Sequence, residues 1–521
     1  MQAANRIITA AEMTEIDRRT QSVIGIPGML LMENAGQKAW AVVRECVGTV
    51  GERHRPPRIA FIAGNGNNGG DALVMARQSL IEGEHECVVI TVARELTGST
   101  QEQWSILHQL GMQRHVWNDE PQDVSDVLAD ADWIVDGIAG TGISGPLRDP
   151  IGSLVGVINR STARVVAVDV PSGLRDGFRR GDSAIRADLT VVTGYLKAML
   201  FESHTRALVG EIHRVDPGFP PGLVNDPQVV TTRIAEMPPS PHHPAPLHSD
   251  FHKGQRGRVL VVGGSPGTAG AAVLSAEGAA AAGAGMIRVL ASGQGVATVL
   301  ARIPSVMAAE IPAVPNGDEL REALAWADAV VLGPGWTTLT DSDLVEWLRY
   351  CSTAGTALVL DASALRVIAQ RGDAWKELFQ TALPTVLTPH LGEWQALVAD
   401  DDVGGVRETL EQFPDRSGLS IIVKSAVTWV RHSTGEVDVL DGRAPALAVA
   451  GSGDVLSGIV VAALARGMAA GLDTPEMVRD ALRWGLTRHL SAGRALTQED
   501  RAASAADIAA RVAAGFGPSY G

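Results

Sequence analysis

The feature that most restricts the fold is a unit found in both halves of the chain: a short apolar run that ends in a polar, glycine-rich loop. It occurs at Arg58–Ala63 followed by Gly64-Asn65-Gly66-Asn67-Asn68-Gly69-Gly70-Asp71, at Trp133–Val135 followed by Asp136–Gly142, and at Val165–Val168 followed by Asp169-Val170-Pro171-Ser172-Gly173. It returns at Arg258–Val262, Ala329–Leu332, Ala357–Leu360, Thr385–Leu387 and Ser420–Val423. Runs this short and continuously apolar read as strands of a parallel sheet, buried on both faces. The class is therefore α/β, and in an open sheet the polar loops at the carboxyl ends of the strands converge on one crevice. A chain of 521 residues holds two such domains. No sequence repeat links the halves; what recurs is the architecture.

The break between them is the proline-rich run Pro238-Pro239-Ser240-Pro241-His242-His243-Pro244-Ala245-Pro246, semi-extended and unfit for a core. The expected organisation is a first domain over 1–234, a linker over 235–249 and a second domain over 250–521. The linker histidines have no fixed geometry and do not read as a metal site. A formal net charge of −15 gives no electrostatic support to nucleic-acid binding. Three scattered cysteines, Cys46, Cys87 and Cys351, fit a reducing compartment. The first residues lack the apolar core of a signal peptide, and Glu277 and Arg466 interrupt the Ala/Gly-rich stretches before they reach spanning length. The expectation is a cytoplasmic homo-oligomer that takes small-molecule nucleotides, with no nucleic-acid or membrane partner.

Local signals place the helices. Thr9 with Glu12 three residues on marks a helix start. A second helix is expected from Leu30, after the break at Gly25-Ile26-Pro27-Gly28, and another from Ala72. The small-residue stretch after Gly263-Gly264-Ser265-Pro266-Gly267-Thr268-Ala269-Gly270 suggests a helix packed closely on its sheet.

Two loops carry candidate chemistry. Ala450-Gly451-Ser452-Gly453-Asp454 opens an apolar helix, and free N–H groups at a helix start favour an anion such as a phosphate. Asp454 either caps that helix or handles a proton or hydroxyl beside the anion. The asparagine loop at 64–71 offers amide donors and carbonyl acceptors together, which suit a sugar, an amide or a weakly held cation better than a bare phosphate. Asn68, Asp136, Asp169 and Ser172 lie at or near strand ends and could share one site.

Together, Leu31-Met32-Glu33-Asn34-Ala35-Gly36, Asn67-Asn68-Gly69-Gly70-Asp71, Asp136–Gly142 and Asp169–Gly173 resemble the NAD(P)H-hydrate epimerase domain over roughly the first 220 residues. The resemblance implies a Rossmann-like αβα sandwich that binds a hydrated nicotinamide nucleotide and potassium. It makes Asn68, Asp136 and Ser172 potassium ligands. It makes Asn67, Asn68, Gly69, Gly70, Asp71, Gly140, Thr141, Gly142 and Asp169 substrate contacts, with Asp71 and Asp169 the candidate acid–base groups. Ala72 stands where that family usually has Gly.

The series His252-Lys253-Gly254, Gly263-Gly264-Ser265, Gly333-Pro334-Gly335, Thr388-Pro389-His390 with Gly392-Glu393, Lys424 and Gly451–Asp454 resembles the ADP- or ATP-dependent NAD(P)H-hydrate dehydratase domain, over nearly all of 248–510. That implies a ribokinase-like αβα fold using magnesium and ADP or ATP. Asp454 would be the general base, Lys424, Gly451, Ser452 and Gly453 the phosphate contacts, and Gly335, His390 and Asp454 the substrate contacts. The chain departs from the family pattern at Asp361-Ala362-Ser363-Ala364-Leu365-Arg366, where Asp-Ala-Asp-Ala-Leu-Asn is common, and at Lys424-Ser425, where Lys-Gly is common. It also lacks the usual Asn and Thr in 443–450 and the usual acid after Pro304. These departures keep two other classes open: a ribokinase-like small-molecule kinase, and a non-catalytic nucleotide-binding protein with a degenerate second half.

Overall fold

The computed structural model describes residues 6–48, 55–119, 121–224, 232–234, 252–311, 317–379, 383–399, 405–413, 418–499 and 502–515. The chain divides into two compact units, Met1–Thr232 and Arg233–Gly521. The proline-rich run lies outside the described residues.

In the first unit a seven-stranded parallel sheet has the order Arg114–Val116, Glu86–Thr91, Arg58–Ala63, Trp133–Gly137, Arg164–Val168, Leu189–Thr193, Glu211–Val215. The chain winds outward from Arg58–Ala63 in one direction, then returns to its other side, so this strand is the topological switch point. Its carboxyl end, where Ala63 is in register with Thr91 and Gly137, is where an open sheet leaves a crevice. Alternate residues of each strand face opposite layers. Phe61, Val135 and Val166 pack with helices Gly28–Val47, Asn67–Glu82 and Gly98–Gln109. Ile62, Ile134 and Ala167 pack with helices Pro121–Ala129 and Ile151–Ile158.

Thr9 and Glu12 form the expected capping box on helix Ala10–Arg19. The next helix begins at Gly28 rather than Leu30. A larger difference lies in the asparagine loop: the helix expected from Ala72 starts at Asn67. Gly66 is its extended N-cap, so Asn68 and Asp71 stand on its first turns rather than on a free loop.

The second unit repeats the plan. Its parallel strands run Met307–Glu310, Met286–Ala291, Arg258–Val262, Ala329–Leu332, Ala357–Leu360, Thr385–Leu387, Leu419–Val423, followed by the antiparallel Val427–Arg431 and Val437–Asp441. The switch point is Arg258–Val262. Helix Ser452–Ala469 is long and apolar enough to cross a membrane, yet 78% of it is buried inside the protein. The small-residue helix Ala269–Ala281 lies against it as well as on the sheet. A Cβ on Gly458 would run into the Ser275 carbonyl, and one on Gly278 into the Val455 carbonyl. The small residues thus serve helix-on-helix approach, beyond the expected helix-on-sheet contact.

Candidate active sites

A cavity of about 510 Å³ opens at the switch point of the first unit. Among its lining residues are Asn67, Asn68, Asp71, Gly140, Thr141, Gly142 and Asp169, with Thr193 and Lys197 beside them. Helix Ala10–Arg19 supplies Met13 and Asp17 to the opposite wall, and helix Gly28–Val47 supplies Met32. Gly69 and Gly70 do not line the cavity. A Cβ at Gly69 would strike the Gly64 backbone and one at Gly70 the Met32 side chain, so both glycines permit close packing behind the site.

Three carboxyl groups line this cavity, Asp17, Asp71 and Asp169, and the last two have different settings. Asp169 has a left-handed backbone at φ 65°, unusual for a residue with a Cβ and costly enough to be held by its surroundings. Its Oδ1 accepts hydrogen bonds from Thr193 N at 3.1 Å, Thr193 Oγ1 at 3.0 Å and the Lys197 ammonium. Asp71 accepts no hydrogen bond among the described residues. Burial, then the negative charge of Asp169, push its pKa well above the usual carboxylate range, while Lys197 pulls the other way.

Asp136 and Ser172 lie deeper, both 0% exposed. Ser172 Oγ donates to Asp136 Oδ1 at 2.6 Å, Ser172 N to Oδ2 at 2.8 Å and Ile138 N to Oδ1 at 3.1 Å. Ala139 N donates to Ser172 Oγ at 2.8 Å, which ties in the loop that carries Gly140. Burial raises Asp136 to about 6 against these hydrogen bonds, and Asn68 Nδ2 is buried without a partner. A buried carboxylate with no cationic partner among the described residues, beside a serine oxygen, is a donor set of the kind a hard cation takes; of Asn68 it is the side-chain oxygen, not the orphaned Nδ2, that could join it.

In the second unit the polar loops meet at the carboxyl ends of the parallel strands. Gly264 N donates to Pro334 O and Ser265 N to Gly335 O, both at 2.8 Å, and Thr268 Oγ1 donates to Gly335 O at 2.8 Å. The next strands end in Asp361 and in Lys424, whose Nζ donates to Asp361 Oδ1 at 2.9 Å. His390 bridges to Lys424 in parallel register and caps helix Leu391–Val398, its Nδ1 accepting from Glu393 N at 3.2 Å. The ring is largely exposed, with Nε2 3.6 Å from Glu393 Oε1.

Helix Ser452–Ala469 starts after Gly451, which takes φ 88° as N-cap with no side-chain cap. Asp454 is the third helical residue, so the capping alternative is excluded. Among the described residues the N–H groups of Gly453 and Asp454 form no hydrogen bond, which leaves donors for an anion at the positive end of an 18-residue helix. A Cβ on Gly453 would lie 3.1 Å from Lys424 Nζ. Glycine there lets the ammonium approach the turn. Burial and the charges of Asp361 and Glu393 push Asp454 up to about 7, with Lys424 opposing. That value suits a group that exchanges protons near neutrality.

The departures from the expected pattern have local partners. Ser363 Oγ accepts from Arg366 Nη2 at 2.7 Å, and Ser425 Oγ donates to the Val427 carbonyl. Neither breaks the Lys424–Asp361 pair. Sequence reasoning passed over three side chains. Lys197 stands alone in the apolar run Tyr195-Leu196-Lys197-Ala198-Met199-Leu200-Phe201, a pattern that signals a buried charge. Asp361 follows an apolar strand as Asp136 does. His489, 8% exposed, places Nε2 3.2 Å from Ser452 Oγ; it lies 37 residues downstream, and no local pattern marks it.

Comparison with known proteins matches both halves. Residues 259–511 match the family model described as NAD(P)H-hydrate dehydratase, and residues 29–199 that of the YjeF-related protein N-terminus. The bifunctional NAD(P)H-hydrate repair enzyme of Moorella thermoacetica is 33% identical over 484 residues, 89% of each chain. That of Salinibacter ruber is 32% identical, covering 89% of this chain and 88% of its own. Among solved structures, the ADP/ATP-dependent NAD(P)H-hydrate dehydratase of Bacillus subtilis, co-crystallised with ATP and Mg2+, is 22% identical. It covers 52% of this chain and 94% of its own, with a TM-score of 0.40. A ribokinase-like superfamily protein of Enterococcus faecalis is 26% identical, covering 52% and 89%, with a TM-score of 0.42. With both family models matched in chain order and full-length relatives at this identity, the chain belongs to the bifunctional NAD(P)H-hydrate repair enzymes.

Proposed function

We propose that the two units divide the repair between them. The first interconverts the R and S epimers of hydrated NADH or NADPH; the second dehydrates the S form at the expense of ADP or ATP. Adding water to the enamine of a dihydronicotinamide puts a proton on the carbon β to nitrogen and a hydroxyl on the carbon next to nitrogen. That carbon is a stereocentre, so two epimers exist, and its hydroxide is a poor leaving group.

In the second unit, Asp454 takes the proton of that hydroxyl as its oxygen attacks the terminal phosphorus of the nucleotide. The N–H groups of Gly453 and Asp454, with Ser452 and Lys424, stabilise the charge on the transferring phosphoryl group. The phosphate then leaves with the C–O pair, the ring nitrogen supplies its own pair, and loss of the β-carbon proton restores the double bond. Gly335 and His390 hold the hydrated ring. The described residues contain no cluster of three or more His, Cys, Asp or Glu side chains that could hold a metal, so magnesium would arrive on the nucleotide phosphates. In the first unit, Asn68, Asp136 and Ser172 would hold potassium, a fixed positive charge near the substrate, and Asp71 and Asp169 form the acid–base pair.

The observation that carries the reading is Asp454, half-buried on the first turn of a long helix, poised near pH 7 beside Lys424 and unbonded amides. The experiment is recovery of reduced-nicotinamide absorbance from mixed-epimer NADH hydrate with ADP and magnesium. Wild type should convert both epimers, and Asp454→Ala should convert neither. A stable phosphate ester accumulating in place of NADH would reveal a kinase instead.

A further inference from the structure

We propose that Lys197 is the positioning residue of the first site: its ammonium, together with Thr193, holds one oxygen of Asp169 and leaves the other turned to the cavity, which makes Asp169 the base and Asp71 the acid. The assignment rests on the reading of this unit as an epimerase.

Lysine is almost never fully buried unless paired, yet Lys197 is 1% exposed. Its Nζ donates to Asp169 Oδ1 and, at 2.7 Å, to the Thr193 carbonyl. With Thr193 N and Oγ1, three donors converge on one oxygen of Asp169 and fix the carboxyl group in place. Asp169 Oδ2 takes no hydrogen bond among the described residues, and Asp169 lines the cavity. That oxygen is the one offered to a substrate.

Asp71 has the opposite setting. The charges that act on it are Asp169 and Asp17, both negative, and Lys197. On the packed helix Gly28–Val47, Glu33 is closed in an ion pair with Arg77. Among the described residues no hydrogen-bond donor reaches the Asp71 carboxyl, and burial opposes its ionisation.

The chemistry balances. Asp71 gives its proton to the hydroxyl; the C–O bond breaks with its pair on oxygen, water is released, and the ring nitrogen pair becomes a second C–N bond. Water then adds to the opposite face, the C–N π pair returns to nitrogen, and the excess proton passes to Asp169. Nothing is oxidised or reduced. The proton returns from Asp169 to Asp71, which resets the site.

The test uses the full chain without nucleotide, a single NADH-hydrate epimer, and separation of the epimers over a pH series. Wild-type epimerisation should fall at high pH as Asp71 loses its proton. In Lys197→Met this alkaline limb should move up by on the order of one pH unit or more, with kcat reduced and KM nearly unchanged, and Lys197→Arg should restore it. A uniform loss of rate with the limb unmoved would overturn the assignment. A second readout needs neither turnover nor the Met variant. In an Asp454→Asn background, which removes the other carboxyl poised near pH 7, the main infrared band of a neutral carboxyl at pH 7 should be lost in Asp71→Asn and persist in Asp169→Asn; the reverse would also overturn it. Wild type that does no better than the uncatalysed rate would instead remove the epimerase reading, while the infrared result still decides which aspartate holds the proton.

Discussion

Asp454 and His489 sit 35 residues apart in sequence and titrate for the same first reason, burial, with opposite signs. For Asp454 burial favours the neutral acid and raises the group to about 7. A neutral carboxyl accepts no proton, so dehydration should rise with pH through about 7 and level above it. Asp454→Asn should cut the rate by about 10²–10⁴-fold and leave epimerisation intact; a flat profile in wild type would remove Asp454 as the base. For His489 burial favours the neutral ring and lowers it from 6.5 to about 4, against a hydrogen bond to Ser452. The unfolded chain then binds the proton first. Stability from this ring is complete above about pH 6.5 and is lost as the pH falls toward 4, by about 3 kcal/mol at most. Melting temperatures at pH 7 and pH 5 should therefore differ more in wild type than in His489→Gln. Equal losses would show that another group carries the acid sensitivity.

Helix Ser452–Ala469 joins packing to function. Its start presents the anion site, and its middle meets helix Ala269–Ala281 so closely that glycine is needed at 458 and 278. Gly458→Ala should cost about 1–3 kcal/mol by forcing the backbones apart and should weaken nucleotide binding, read together by thermal melting and calorimetry. Retained stability would mean the helices can separate freely. In the first unit, the capping box of Thr9 and Glu12 starts the helix that carries Met13 and Asp17 to the cavity wall. Thr9→Ala should lower stability by about 1 kcal/mol. Such elements were legible where a signal is local: the cap at Thr9, the apolar strands, the glycine turn at 451. The helix start at Asn67 was not, because Asn and Gly serve loops and first helical turns alike, and only packing against Met32 and Gly64 selects the helix.

As a whole molecule the enzyme carries two sites on separate sheets, so single substitutions should silence one activity at a time. With mixed epimers, Asp71→Asn should leave rapid conversion of one epimer and slow, uncatalysed conversion of the other, resolved as two phases of absorbance recovery. One fast phase for both would place the epimerisation elsewhere. Sequence alone determined the α/β class, the two halves and most of the candidate residues. Apolar periodicity and glycine turns are short-range consequences of backbone hydrogen bonding and sterics, and motif order carries the family resemblance. Tertiary structure decided what those residues can do. It set Gly69 and Gly70 behind the cavity lining and ended the capping reading of Asp454. It also brought Lys197 to Asp169, Lys424 to Asp361 and His489 to Ser452. Desolvation and Coulomb interaction depend on distances through space, between groups 28, 63 and 37 residues apart along the chain, and no local pattern encodes them.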